Sequence, residues 1–246
     1  MAIKIITTED GSHTLFNEEL NEHYHSTHGA INESKHIFID AGYKALKPKH
    51  AYNILEIGYG TGLNALLTVK EVINTCVKIN YVAIEAFPVA NSVYTKLNYI
   101  GLIGDNSLEK HYKELNTSSW NYPQYINDNF ILNKIDAKIE DISLTETSFD
   151  LVYFDAFSPE VQPELWKVSI FEKIYNAMKF DGILVTYCAK GEVKRTLKSV
   201  GFEVENLPGP IGKREITRCR KVLLAEDCNL ETLLWFIRKL LSGDLP

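Results

Sequence analysis

From Ile54 to Gly62 the chain reads Ile-Leu-Glu-Ile-Gly-Tyr-Gly-Thr-Gly, an apolar strand that closes on an acid and turns through three alternate glycines. Glycines in a first βα turn allow positive φ and a close approach of backbone to a bound molecule. A dinucleotide asks for Gly-x-Gly-x-x-Gly, because its pyrophosphate must sit over the helix N-terminus. Here the third glycine comes one residue early, and Leu63 fills the expected slot. The loop of Gly58, Gly60 and Gly62 therefore favours a ligand without a diphosphate, S-adenosylmethionine over NAD. Four acids stand at expected strand ends: Glu56 before the glycines, Glu85 before Ala86-Phe87-Pro88, Asp136 before Ala137, and Asp155 in Phe154-Asp155-Ala156-Phe157-Ser158-Pro159. Ligands of doubly wound sheets bind outside the carboxyl ends of the strands. Glu85 suits the two ribose hydroxyls of an adenosine, and Asp136 with Ala137 suits the adenine edge. A single acid after a strand is commonly a turn former or a helix cap. Four in register make a constellation.

Holding these groups in a row requires alternating strands and helices. Apolar runs predict strands near 52–57, 81–84, 131–135, 151–154 and 183–187, with further strands near 202–206 and 215–224. Helices are expected over 63–74, 90–97, 164–178 and 192–200. Pro163 suits a helix start and Gly201 a helix stop. The alternation predicts an α/β, Rossmann-like, mostly parallel doubly wound sheet covered on both faces. Residues 3–8 and 13–16 flank Asp10-Gly11, a two-residue hairpin signal. Residues 1–50 thus read as an N-terminal hairpin and lead-in, with a strand at His36-Ile37-Phe38. Residues 51–225 read as the main domain, and 226–246 as a helical tail with Asn229 as cap and Leu230, Leu233, Leu234, Ile237 and Leu241 at helical spacing. The polar and aromatic stretch 99–129 interrupts the alternation, as a cover for a substrate or as a helical decoration.

Composition narrows the class. The 246 residues carry a net charge of −6, which at first argues against a nucleic-acid partner. Yet basic residues crowd into 190–221, a local surface that either binds phosphates or is a solvated face. Cys76, Cys188, Cys219 and Cys228 are too scattered for a zinc site or a disulfide framework. No apolar run reaches the roughly 20 residues needed to span a bilayer, and the N-terminus lacks a signal-peptide layout. A cytoplasmic protein with reduced thiols and no membrane partner is the expectation. His23, His25 and His28 invite a metal, but no carboxylate or cysteine at ligand spacing completes a set, and a loop near the cofactor's methionine end is preferred.

Glu56-Ile57-Gly58-Tyr59-Gly60-Thr61-Gly62 together with Asp155-Ala156-Phe157-Ser158-Pro159 resembles the methyltransferase half of the tRNA-modifying MnmC family. The resemblance extends to Asp10-Gly11-Ser12, Glu33-Ser34, Phe87-Pro88, Pro163-Glu164-Leu165-Trp166, Arg195 ahead of Gly201-Phe202, and Gly212-Lys213-Arg214-Glu215. It implies a class I S-adenosylmethionine-dependent methyltransferase acting on the wobble uridine of tRNA, converting 5-aminomethyl-2-thiouridine into 5-methylaminomethyl-2-thiouridine. The family's fused flavin-dependent oxidase has no counterpart in this sequence, so a stand-alone methylating enzyme is expected, with another protein making the aminomethyl group.

An alkyl ammonium has no lone pair and must lose a proton before it attacks a methyl group. Asp155 is expected to hold and orient the amine. Phe157 either stacks on a flipped-out base or is a core aromatic. Arg195, Lys213 and Arg214 are candidates for the phosphates of the anticodon stem-loop. Three other readings remain: an aminopropyltransferase or small-molecule amine methyltransferase on the same fold, a non-catalytic tRNA-binding protein, and, least favoured, an NAD-linked dehydrogenase.

Overall fold

The computed structural model describes residues 3–222. The expected tail helix and Cys228 lie outside the described residues. Eleven strands form two sheets among these residues. A small sheet pairs β1 (Ile3–Thr7), β2 (His13–Asn17) and β3 (Glu22–His23) in antiparallel order. The large sheet contains β4 (Ala51–Ile57), β5 (Lys78–Glu85), β6 (Gln124–Asn127), β7 (Phe130–Asp136), β8 (Phe149–Phe154), β9 (Met178–Thr186), β10 (Phe202–Pro208) and β11 (Glu215–Lys221), in the spatial order β10-β11-β9-β8-β4-β5-β7-β6. Its five central strands run parallel, and β6 and β11 run antiparallel to their neighbours.

The order reverses between β4 and β8, since the chain leaves β4 toward β5 on one side and returns to β8 on the other. Such a switch point opens a crevice at the carboxyl ends of both strands. The helices are α1 (Ala30–Ser34), α2 (Leu63–Val72), α3 (Asn91–Tyr94), α4 (Tyr99–Ile103), α5 (Leu108–Thr117), α6 (Val168–Ala177) and α7 (Gly191–Val200). Apolar clusters fill both faces of the sheet. One gathers Ile54, Leu66 and Tyr81 with Phe38, and the other Leu55, Val152 and Phe171 with Leu197.

Four expectations need correction. His36-Ile37-Phe38 is not a strand: residues Lys35–Asp40 continue α1 as a π-type turn. Ile37, Phe38 and Ile39 are all buried because this turn packs against both α2 and β9, so consecutive burial imitates a strand's apolar run. The helix over 164–178 is split. A 3-10 turn at Pro163–Trp166 precedes α6, Lys167 between them is extended (φ −74, ψ 154), and Met178 already begins β9. The helix over 90–97 is a single turn, Asn91–Tyr94. The hairpin loop spans 8–12 instead of two residues, because Thr7 pairs with His13.

That longer loop has a use. Asp10 Oδ1 accepts from Thr8 Oγ1 (2.7 Å) and Ser12 N–H (2.9 Å), while Oδ2 accepts Asn32 N–H (3.2 Å). Ser12 Oγ accepts Ala30 N–H (3.0 Å). The Asp-Gly-Ser motif therefore satisfies the exposed donors that open α1, which have no partner within the helix. It fixes α1, and with it Glu33.

Candidate active site

A cavity of about 430 Å³ lies over the switch point, within the range of small-molecule sites. Its floor is the turn from β4 into α2. Gly58, Gly60 and Gly62 all have positive φ (88°, 49° and 72°). A Cβ on Gly58 would stand 2.4 Å from the Asp155 carbonyl oxygen, so this glycine lets two strand ends touch. On Gly60 it would stand 3.2 Å from the Tyr24 ring.

Tyrosines brace this turn from behind. Tyr94 donates to the Gly60 carbonyl (3.2 Å), Tyr99 to Thr61 Oγ1 (3.2 Å), Tyr112 to the Thr61 carbonyl (3.3 Å), and Tyr59 to the Leu115 carbonyl (3.1 Å). Buried Lys134 lies over the Trp120 ring, 4.7 Å from its centroid. The stretch 99–129 contributes no cavity-lining residue. It supports the glycine turn.

Of the four acids, two face the cavity. Glu85 accepts Gly60 N–H at Oε2 (3.0 Å) and Phe87 N–H at Oε1 (2.9 Å). Burial raises its carboxyl, against which these backbone donors act. Each oxygen keeps a lone pair that a ribose hydroxyl can use. Asp155 is the second. Burial lifts its carboxyl to about 7; Glu33 and Glu85 add to the rise, while Asn64 and Lys213 oppose it.

Glu56 is not on the rim. It is 0% exposed and lies beneath the cavity, accepting Asn64 Nδ2 (2.9 Å) and the Tyr81 hydroxyl (2.9 Å). Side chains alternate along a strand, and Glu56 shares the core face with Ile54. Asn64 Nδ2 also donates to Asp155 Oδ2 (2.8 Å), so Glu56 reaches the cavity only through that amide. Asp136 is exposed and absent from the lining, whereas Ala137, Lys138, Ile139 and Glu140 after it form one wall. Lys173 holds that wall by donating to the carbonyls of Ile139 (2.6 Å), Glu140 (2.9 Å) and Ile142 (2.8 Å).

Another part of the cavity lining is aromatic and charged. Phe157 belongs to it, edge-on to Tyr24 with ring centroids 5.0 Å apart. The Asp155–Pro159 turn is fixed by Trp166, whose indole N–H donates to the Phe157 carbonyl (2.8 Å), and by Tyr187, whose hydroxyl donates to the Ala156 carbonyl (3.0 Å). Lys213 points inward: its Nζ lies 2.6 Å from Glu33 Oε1 and 4.1 Å from the Tyr187 ring centroid. This departs from a phosphate-facing role. Gly212 (φ +84) explains it, because a Cβ there would stand 2.0 Å from the His28 ring. The β10–β11 turn presses against His28, which aims the next residue into the cavity. Arg195 and Arg214 face solvent outside it.

His23, His25 and His28 line the cavity, but no group of three or more His, Cys, Asp or Glu among the described residues is placed to hold a metal ion. Burial lowers His25 to about 4, so it is neutral near pH 7. His28 Nδ1 instead lies 2.9 Å from Glu9 Oε2. The reading of the sequence did not single out Tyr24, Asn64 or Tyr187. Asn64 follows the glycine turn directly and Tyr187 ends a predicted strand, so the positions carried a signal although the residue types did not.

A family model described as an S-adenosyl-L-methionine-dependent methyltransferase matches residues 107–222. The match covers just under half of this chain and is a likeness to these methyltransferases. The chain is 28% identical over 221 residues to the tRNA 5-methylaminomethyl-2-thiouridine biosynthesis bifunctional protein MnmC of Leptospira interrogans, over 82% of this chain and 33% of the relative. It is 27% identical to the protein of the same name from Idiomarina loihiensis, over 83% of this chain and 36% of the relative. It thus spans about a third of the length of the curated relatives it matches. A crystal structure of MnmC2 from Aquifex aeolicus superimposes with a TM-score of 0.72 at 23% identity, covering 98% of this chain and 75% of that one, and shares its fold.

S-adenosylmethionine fits the residues present. The cavity offers a glycine turn open to close approach, the Glu85 carboxylate, which would suit a ribose, and the Ala137–Glu140 wall, which would suit an adenine. The same cavity is also lined by Asp155, Glu33, Lys213, Tyr24, Phe157 and Tyr187.

Proposed function

We propose that this protein is a methyltransferase that N-methylates the 5-aminomethyl group of 5-aminomethyl-2-thiouridine at the tRNA wobble position, giving 5-methylaminomethyl-2-thiouridine. The observation that carries the reading is Asp155, a cavity carboxyl with an elevated proton affinity, in a lining that also holds aromatic faces. Such a lining suits a cationic amine on a flat ring. The names of the relatives support the choice of that ring. On this reading the partner is the anticodon stem-loop of tRNA and the compartment is the cytoplasm.

When bound, S-adenosylmethionine supplies a methyl carbon on a positive sulfur, so that a neutral nitrogen forms the N–C bond while the C–S electron pair returns to sulfur. The chain's own residues do the remainder. Glu85 and the glycine turn hold the adenosyl half, and Phe157 with Tyr24 offers faces for a base out of its stack. Asp155 accepts hydrogen bonds from the amine, aims it, and takes its proton. An ordinary carboxylate is a poor acceptor for such a proton, and a value near 7 narrows the gap.

The test is to incubate the protein with labelled S-adenosylmethionine and tRNA bearing the aminomethyl group, and to analyse the nucleosides. Label is expected in 5-methylaminomethyl-2-thiouridine. Label confined to free amines, or none at all, overturns the reading. Asp155→Asn should lower kcat roughly 100-fold or more while cofactor affinity by calorimetry stays nearly constant.

A further inference from the structure

Glu33 and Lys213 do more than close a gap between α1 and the β10–β11 turn. Glu33 is only 7% exposed, accepts Ser26 N–H at Oε2 (2.7 Å), and meets the Lys213 ammonium at Oε1 (2.6 Å). Both line the cavity with Asp155, and Lys213 is further held by the Tyr187 face. Two devices aim them: the Asp10-Gly11-Ser12 clamp on α1 and the close approach of Gly212 to His28. An ion pair at such a place, with one member buried, adds little to stability.

We propose that the Glu33–Lys213 pair governs proton transfer from the acceptor ammonium to Asp155, Glu33 drawing the proton toward this part of the cavity and Lys213 opposing it. The inference rests on the amine reading of the acceptor. In the step, a proton leaves the ammonium nitrogen, the N–H electron pair stays on nitrogen as the attacking lone pair, and the proton ends on a carboxylate oxygen of Asp155. Glu33 and Lys213 touch neither proton nor methyl group. They are positioning residues, acting through the field at Asp155.

Other groups face this centre. From the loop before α1 come Tyr24 and neutral His25, the latter also in the field of Asp10; from β3, Glu22; from β4 and β5, Glu56 and Glu85; from the end of β9, Tyr187 and Cys188. Glu192 and Lys194 of α7 act on Cys188. Among these, Glu33 and Lys213 are the opposite charges whose influence on Asp155 has opposite sign. Removing either should therefore shift Asp155 in the opposite direction.

The acid limb of kcat/KM reports the free enzyme's base. Measured against pH, it should move down by on the order of 1 unit in Glu33→Gln and up by a similar amount in Lys213→Met, with Lys213→Arg restoring the wild-type position. Titration of the Asp155 carboxyl by carbon NMR, assigned through Asp155→Asn, should show the same opposed shifts without substrate. A pair that only supports the fold would lower activity and leave both readouts in place. Shifts of the same sign, or none, overturn the proposal. If the wild type methylates no wobble amine, the substrate reading fails, while the carboxyl titration still decides on the pair. The amide introduced by Glu33→Gln keeps an oxygen for Ser26 N–H; should that variant still not fold, Lys213→Met and Lys213→Arg carry the test alone.

Discussion

Near neutral pH, Asp155 is divided between its charged and neutral forms, since its carboxyl titrates at about 7. Only the carboxylate accepts a proton, so kcat/KM should rise with pH and reach half its plateau close to pH 7. An activity profile flat from about pH 5.5 to 8.5 would contradict the assignment. The same group sets a stability slope. Its folded value lies above the ordinary 3.8, so the folded chain binds more protons than the unfolded one between about 4 and 7. The carboxyl's contribution to stability is therefore complete below that window and is lost as pH rises through it. Asp155→Asn should melt above the wild type at about pH 8, and the gap should close toward about pH 4. Asp155 and Glu85 were legible in the sequence because each ends a strand whose apolar run is local. Glu33 and the inward aim of Lys213 were not, since they depend on contacts between segments far apart in the chain.

Elements matter here through the turns they brace. Gly58 combines positive φ with a near contact to the Asp155 carbonyl, so Gly58→Ala should cost about 1–3 kcal/mol in strain alone and abolish cofactor binding. Thermal melts and calorimetry would check both; a variant that folds and binds normally would show that the turn tolerates a side chain. Lys173 sits on α6 and satisfies the carbonyls of Ile139 and Glu140 in the cavity wall and that of Ile142 just beyond it. Lys173→Met should weaken cofactor affinity several-fold while leaving kcat at saturation close to wild type. The strand and helix alternation was readable from apolar periodicity, whereas the part played by 99–129 was not. A tyrosine hydroxyl that reaches a loop carbonyl leaves no periodic trace, and the buried π-type turn at Lys35–Asp40 has the composition of a strand.

At the scale of the molecule, the basic stretch 190–221 is largely neutralised by its own surroundings. Lys194 pairs with Glu215, Arg218 with Glu205, Arg220 with Asp181, and Lys190 with Glu160. Arg195, Lys198 and Arg214 remain exposed, and the two arginines each adjoin in sequence a member of the Lys194–Glu215 pair. If these two contact phosphates, Arg195→Glu with Arg214→Glu should weaken tRNA binding and reduce the slope of log affinity against log salt by about 1.4–1.8, at roughly 0.7–0.9 per contact. An unchanged slope would remove both from the interface. No helix among the described residues is long and apolar enough to cross a membrane. Tyr24, His25 and Glu33 come from the segment ahead of β4, yet they wall the same chamber as the glycine turn, with the Tyr24 ring over Gly60. On the proposed reading, a fragment trimmed to the large sheet and its helices would keep the floor on which an adenosyl group would rest and lose the roof above it, leaving the reacting nitrogen open to bulk water.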